Sequence, residues 1–372
     1  MQIDSLELFH VALPYKQPRE IAGSECTTLD TVLVKMTGGG ASGWGEASPG
    51  NAPLYCGEWV TGVYCVLRDW LAPALTGNVI DSGEALQTQL KPFRGNQFAK
   101  SALDTAWWDL HARLQGRPLH ELLGGVRQAI DVGPTFDRME SPEDFLAAIG
   151  GAFDAGYPRV KLKFRPGWDV EMLRYVRQHF PDQTFHVDVE GELGLHHMEM
   201  LCRLDDFMLA MIEQPLPPDD LVGHAMVQET VRTPVCLDEG IASVAQAEMA
   251  LDLKSCRFVN LKPGRVGGLT PAIEIHDRSK EHDVACWAGA TPQSAIGARF
   301  ALALGAKANC TYPADLFPST EVLAEDLAAP LFAERGDDGV MRVPLWSGAG
   351  IGIEPDPGLL EKLTLQQAKF GG

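Results

Sequence analysis

From about residue 129 the chain alternates short apolar runs with longer stretches whose apolar residues recur three and four positions apart. Such alternation is the mark of repeated strand–helix units on a parallel sheet. The runs predict strands at 130–135, 159–164, 184–190, 209–214, 234–239, 257–262 and 283–289, with a weaker eighth at 309–312. Earlier the pattern differs. Residues 3–11 and 31–36 alternate apolar with polar positions, a loop parts them, and Gly38-Gly39-Gly40 follows, so an antiparallel hairpin or meander is expected. Within 97–114, Ala102, Leu103, Ala106, Trp107 and Leu110 repeat at helical spacing, with Gly116 just beyond. The expected fold class is α/β: a small α+β domain over 1–125, a (β/α) barrel over 126–320, and a tail, 321–372, that crosses back to complete the first domain.

Polar residues close five of the apolar runs: Lys163, Asp188, Glu213, Asp238 and Lys262, separated by 25, 25, 25 and 24 positions. So even a recurrence places each at the same point of its unit, the carboxyl end of the strand, and in a closed barrel those ends ring one mouth. Charges at the ends of buried apolar strands are costly unless paired or bound to metal. Three carboxylates from consecutive strands offer hard oxygen ligands, which suit Mg²⁺, with Mn²⁺ as the alternative, better than zinc. Asp188, Glu213 and Asp238 are therefore the candidate metal ligands, with Lys163 on one side and Lys262 on the other. Lys161 lies two residues before Lys163 and shares its face. A free lysine has a pKa of about 10.4 and a useful base at neutral pH wants about 7 to 8. A like charge and burial both push it down, which makes Lys161 the expected tuner and Lys163 the expected base. Metal plus lysine suits removal of a proton α to a carboxylate. Returning a proton to the opposite face gives racemisation, and loss of a β-substituent gives elimination.

Charge and composition narrow the partners. The chain carries 31 Lys and Arg against 50 Asp and Glu, a formal −19, which argues against a nucleic-acid surface; an acidic exterior would repel a small-molecule carboxylate substrate, so the lysines and the metal are expected to make the mouth locally positive. At 45% hydrophobic and 22% charged the composition is that of a globular chain with a sizeable core. No apolar run is long enough to span a membrane, and residues 1–10 lack the basic start and apolar stretch of a secretion signal. The eight cysteines are scattered with no Cys-x-x-Cys pair, so reduced thiols in a cytoplasmic protein are expected. A homo-oligomer stays open.

These residues resemble the enolase superfamily, whose lysine-and-magnesium chemistry is a standard example of enediolate stabilisation. Ala99-Lys100-Ser101-Ala102-Leu103-Asp104, Trp107-Trp108-Asp109-Leu110 and Leu122-Leu123-Gly124-Gly125 resemble the end of its capping domain. Val160-Lys161-Leu162-Lys163, Ile212-Glu213-Gln214-Pro215-Leu216, Cys236-Leu237-Asp238-Glu239 and the stretch from Asn260 through Lys262 and Arg265 to Gly268 resemble its muconate lactonising branch. Pro53-Leu54-Tyr55, Pro166-Gly167-Trp168-Asp169-Val170 and Leu323-Ala324-Glu325-Asp326-Leu327 are most similar to the N-succinylamino acid racemase and o-succinylbenzoate synthase group.

The resemblance implies an enolase-type barrel with a capping domain, Lys163 and Lys262 as acid/base pair, and Asp188, Glu213 and Asp238 as magnesium ligands. It places residues 21–25 and 53–55 at the substrate, and with the synthase reading it implies menaquinone biosynthesis. Tyr55, Glu190, Glu239, Asn260, Arg265, Gly289 and Thr291 are the expected substrate-binding residues or supports of the ligands, Arg265 as a holder of an N-acyl group. The sequence departs from the family twice. Asp188-Val189-Glu190 stands where Asp-x-Asn is usual, putting a second acid on the face of Asp188. Gly289-Ala290-Thr291-Pro292-Gln293-Ser294-Ala295 replaces Gly-Gly-Met-x-Glu-Thr-Gly, which alters the wall where an acyl group would lie. Alternatives are a dipeptide epimerase or cycloisomerase on the same scaffold and, from another class, a non-catalytic carboxylate-binding paralogue.

Overall fold

Apolar alternation fades after Val11, yet the first strands run much further. In the computed structural model, which describes every residue except 22, 140 and 316–318, β1 (Ser5–Ile21) and β2 (Ser24–Gly38) pair antiparallel out to Ile21 and Ser24. The outer half of this hairpin is exposed on both faces, so no burial period marks it in the sequence. Of the loop expected at 21–25, residue 22 lies outside the described residues, and its neighbours form the hairpin end. A third strand, β3 (Ala41–Ala47), pairs with β2.

The barrel strands shorten to their buried centres: after β4 (Ala129–Asp131) come β5 (Thr135–Phe136), β6 (Val160–Lys163), β7 (Phe185–Asp188), β8 (Ile212–Glu213), β9 (Val235–Leu237), β10 (Phe258–Leu261) and β11 (Ala285–Ala288). β5 to β11 form one parallel sheet in sequence order, as βα units require. Segment 309–315 closes the ring without forming a regular strand. Thr311 donates to the Cys286 carbonyl at 3.0 Å, and Gly133 donates to that of Ala314 at 3.0 Å. The run expected at 130–135 is split at Gly133-Pro134. Its first part, β4, pairs antiparallel with β13 (Met341–Pro344), which in turn pairs with β12 (Glu334–Arg335). The last strand, β14 (Thr364–Gly371), returns to lie beside β1, giving the order β14-β1-β2-β3. Among the described residues no helix is long and apolar enough to cross a membrane.

The helix Gln97–Leu114, predicted by its apolar spacing, lies directly on β3. Glycine permits that approach: a Cβ on Gly45 would stand 2.0 Å from the Ala102 carbonyl oxygen, and one on Gly43 2.2 Å from the Leu110 nitrogen. Asp109 then reaches across from the helix to accept from the Trp44 backbone at 2.8 Å. The same helix faces the barrel, where Asp104 accepts from the Thr270 backbone at 3.0 Å and the Trp108 indole donates to the Thr270 hydroxyl at 2.9 Å. Gly45→Ala is expected to destabilise the chain by about 3 kcal/mol in urea unfolding, because backbone on both sides must move. Gly57→Ala, where an added Cβ meets nothing within 4 Å, should change it by less than about 0.5 kcal/mol.

Candidate active site

Strand pairing explains how the five closing residues come to one mouth. Lys163 is paired with Asp188 and Asp188 with Glu213, so these three stand level. Glu213 is opposite Cys236, so Asp238 lies two residues further along, and the pairing of Leu237 with Val259 puts Lys262 two further again. Each offset is even, so the side chains stay on one face. The ring therefore presents lysine, three carboxylates and lysine in that order.

Ion pairs join them. Lys163 Nζ lies 2.9 Å from Asp188 Oδ2 and Lys262 Nζ 2.5 Å from Asp238 Oδ2. Lys161 sits one layer deeper, 3.2 Å from Asp188, 3.3 Å from Glu213 and 2.7 Å from Asp315, over the ring of buried Trp287. Asn260 donates to Glu213 at 2.7 Å and to Asp238 at 3.3 Å. Glu213 is the most buried of the three carboxylates, and Asp238, met by Tyr55, Asn260, Lys262 and Arg265, has the most partners. Burial pushes the Glu213 carboxyl up, but Lys161 and His186 outweigh that and hold it well below the usual range.

The lysines do not follow the sequence expectation. Burial and Lys161 push the Lys163 amine down, yet Asp188 and Glu190 push harder the other way, and the ammonium is held above its usual value. Lys161 thus pushes Lys163 in the expected direction but is outweighed, and its own ammonium, lowered by burial, is raised well above the usual range by Asp315, Glu213 and Asp188. Burial likewise lowers Lys262 while Tyr55 and Glu239 raise it, with a net rise.

The expected supporting residues separate by depth. Arg265 is 3% exposed and commits its guanidinium to Asp238, to the Ile241 carbonyl at 2.7 Å and to the Asn260 carbonyl. It therefore positions Asp238, with each of its three nitrogens engaged within the protein. Gly289 lies against Asn260, where a Cβ would stand 2.0 Å from Oδ1. Thr291 lines a cavity of about 20 Å³, room for one water, together with Lys262, Gly289, Gln293, Glu46 and Ser48. Tyr55 comes over from the capping side, donating to Asp238 at 3.1 Å, with Lys262 5.1 Å above its ring. Glu190 is half exposed and follows the end of β7 with φ +53°, which turns it out of the strand. Its carboxylate takes Lys163 at 2.6 Å, so it competes with Asp188 for the lysine instead of crowding the carboxylates. Glu239 keeps one buried oxygen without a donor, and burial followed by the charge of Asp188 raises its carboxyl.

Sequence reasoning missed Asp315 and Arg159. They form a buried pair at 2.7 Å beneath Lys161, and Asp315 is held far below the usual carboxylate range by Lys161 and Arg159 against its burial. Their only signals are Arg159 at the start of one run and Asp315 just past the weak eighth one.

Among the described residues no three of His, Cys, Asp and Glu close into a ligand cluster, since lysine and asparagine nitrogens stand between the carboxylates. The donor chemistry nevertheless fits a hard cation. All three carboxylates are buried oxygen donors at one mouth, and Glu239 and Asn260 beside them each keep a buried oxygen without a hydrogen bond.

Comparison with known proteins gives matches along nearly the whole chain. Residues 4–124 match the mandelate racemase / muconate lactonizing enzyme N-terminal domain, and residues 144–359 the enolase C-terminal domain-like family. The chain is 36% identical to an N-succinylamino acid racemase of Thermus thermophilus over 99% of its length and 98% of that protein's. It is 37% identical to an o-succinylbenzoate synthase of Geobacillus stearothermophilus, covering 98% and 96% of the two. A solved enolase-superfamily member from Enterococcus faecalis, 34% identical and covered to 99% on both sides, superposes with a TM-score of 0.93.

Asp315→Asn would leave Arg159 and Lys161 with one buried counter-charge fewer. A loss of about 3 kcal/mol in chemical unfolding is expected, and an unchanged midpoint would show that the pair is not what carries the buried lysine.

Proposed function

The chain belongs to the mandelate racemase / muconate lactonizing enzyme family of the enolase superfamily, and on that premise we propose that it is a magnesium-dependent enzyme removing the proton α to a small-molecule carboxylate. Its reaction is that of an o-succinylbenzoate synthase, an N-succinylamino acid racemase, or both, the activities of its full-length relatives. The observation that carries this reading is the order of the ring: two lysines flank three buried carboxylates on consecutive strands, so a substrate bound at the carboxylates meets an amine on each face.

Asp188, Glu213 and Asp238 would hold the magnesium. When bound, the ion supplies positive charge where the substrate carboxylate becomes more negative, which acidifies the α-carbon. The residues do the rest. Lys163, as neutral amine, takes the α-proton and becomes ammonium. In racemisation Lys262, as ammonium, returns a proton to the opposite face of the same carbon. In dehydration the α-carbon electron pair forms the new double bond, the β-hydroxyl departs, and a lysine proton converts it to water. Asp188 and Glu190 oppose the neutral form of Lys163, so drawing Asp188 to a cation releases one of its two restraints. Asn260 and Arg265 fix the carboxylates behind the site, and Tyr55 closes over Asp238.

Incubation with N-succinylamino acids in D₂O and magnesium is expected to give α-deuterium, and incubation with the cyclohexadiene carboxylate to give loss of its chromophore. Lys163→Ala should lower exchange about a thousandfold. Exchange that survives this substitution in both enantiomers would sink the base assignment, because Lys262 alone serves only the opposite face, and absence of exchange by the wild-type chain with every carboxylate tried would favour a carboxylate-binding protein.

A further inference from the structure

Glu46 is a carboxylate buried in the capping domain that takes no part in the ring. It lies near the end of β3, 6% exposed against the barrel, 248 residues away in sequence from its main partner. That partner is the start of the helix Ala295–Gly305, which follows β11 and the altered loop 289–294. The first amides of a helix have no partner within it and must be met from outside. Here three parts of the chain meet them. Ser294 accepts from Ile296 at 3.1 Å, Asp326 of the tail accepts from Ala295 at 2.9 Å, and Glu46 accepts from Gly297 at 2.7 Å. Glu46 also accepts from the Ser294 backbone at 3.0 Å and from its hydroxyl, and is steadied by Thr31 at 2.9 Å. Two residues along, just past β3, Ser48 donates to the Pro292 carbonyl at 2.5 Å.

These bonds grip the loop that carries Thr291. Glu46, Ser48, Thr291, Gln293, Gly289 and Lys262 all line the same small cavity. The loop cannot shift away from Lys262 without leaving the Glu46 carboxylate buried and short of donors, which is unfavourable. We infer that Glu46 is a positioning residue through which the capping domain sets the wall beside Lys262, and so decides how closely the substrate's side group is held while the proton transfer itself is left to the lysines. The role deepens the reaction proposed above and rests on it only for the kinetic readout.

Glu46→Gln keeps the shape but turns one acceptor into a donor facing amides that also donate. In the variant, KM for N-succinyl and N-acetyl amino acids should rise roughly tenfold, and unequally between the two, while kcat for α-deuterium exchange stays within about twofold. The Ser294 and Gly297 amides should lose protection from hydrogen exchange. Unchanged KM with intact protection overturns the role, as does an equal fall of kcat for both substrates with KM unchanged. Should Glu46→Gln fail to fold, Ser48→Ala removes one bond to the same loop and should raise KM in the same direction by about threefold; no change there also overturns it. If the wild-type chain exchanges no substrate proton, the proposed reaction has failed, and amide protection at Ser294 and Gly297 alone decides whether Glu46 grips the loop.

Discussion

A carboxylate taken out of water must find a cation or several N–H donors, and this constraint organises the barrel. Asp188, Glu213 and Asp238 are each less than 5% exposed. Left alone, any of them would cost several kcal/mol, a large share of an ordinary domain's stability. The fold answers with bases supplied by the neighbouring strands. Lys161 serves Asp188, Glu213 and Asp315 together, Arg159 holds Asp315 from below, and Arg265 and Lys262 share Asp238. Beneath them Met211, Cys236 and Trp287 pack together, so the charged layer rests on a largely apolar floor.

The layer grades toward the mouth. Lys161 is 5% exposed with three carboxylates around it, Lys163 is 20% exposed with two, and Glu190 at 48% faces solvent. Lys161, Glu213 and Asp315 are thereby favoured in their charged forms and act as scaffold. The shallower pair, Lys163 and Glu190, is the one a substrate or a cation can rearrange, which is where proton transfer is useful. The capping side adds its own restraints from above: Tyr55 at Asp238, Glu46 at the helix after β11, and Asp104 at Thr270. Both halves of the chain are needed to finish the pocket, and the glycines at 43 and 45 let the long helix come close enough to connect them.

Much of this was legible before any coordinates. Apolar runs at a spacing of about 25 mark the βα units, and the polar residue closing each run marks the mouth, because a strand buried on both faces has no other reason to end in a charge. The helix at 97–114 was equally plain. Where burial gives no period the sequence was silent: the outer hairpin is exposed on both faces, and the eighth segment closes the ring with too few apolar residues to stand out. The run at 130–135 misled for a different reason, since Gly133-Pro134 breaks it and its first half pairs with a tail strand more than 200 residues later.

The sequence by itself determined the fold class, the order of the ring and the identity of its acids and bases, because these depend on spacing along one chain and on the period of two along a strand. Only the tertiary structure decided which charge answers which. Arg265 proved to be bound up with Asp238 and two carbonyls, Lys161 with Asp315, Lys163 with Glu190, and Glu46 with a helix 248 residues away. No spacing encodes those choices. They follow from distance in space and from the low dielectric of the interior, where a pairing made across the whole chain matters more than a neighbour in sequence left in water.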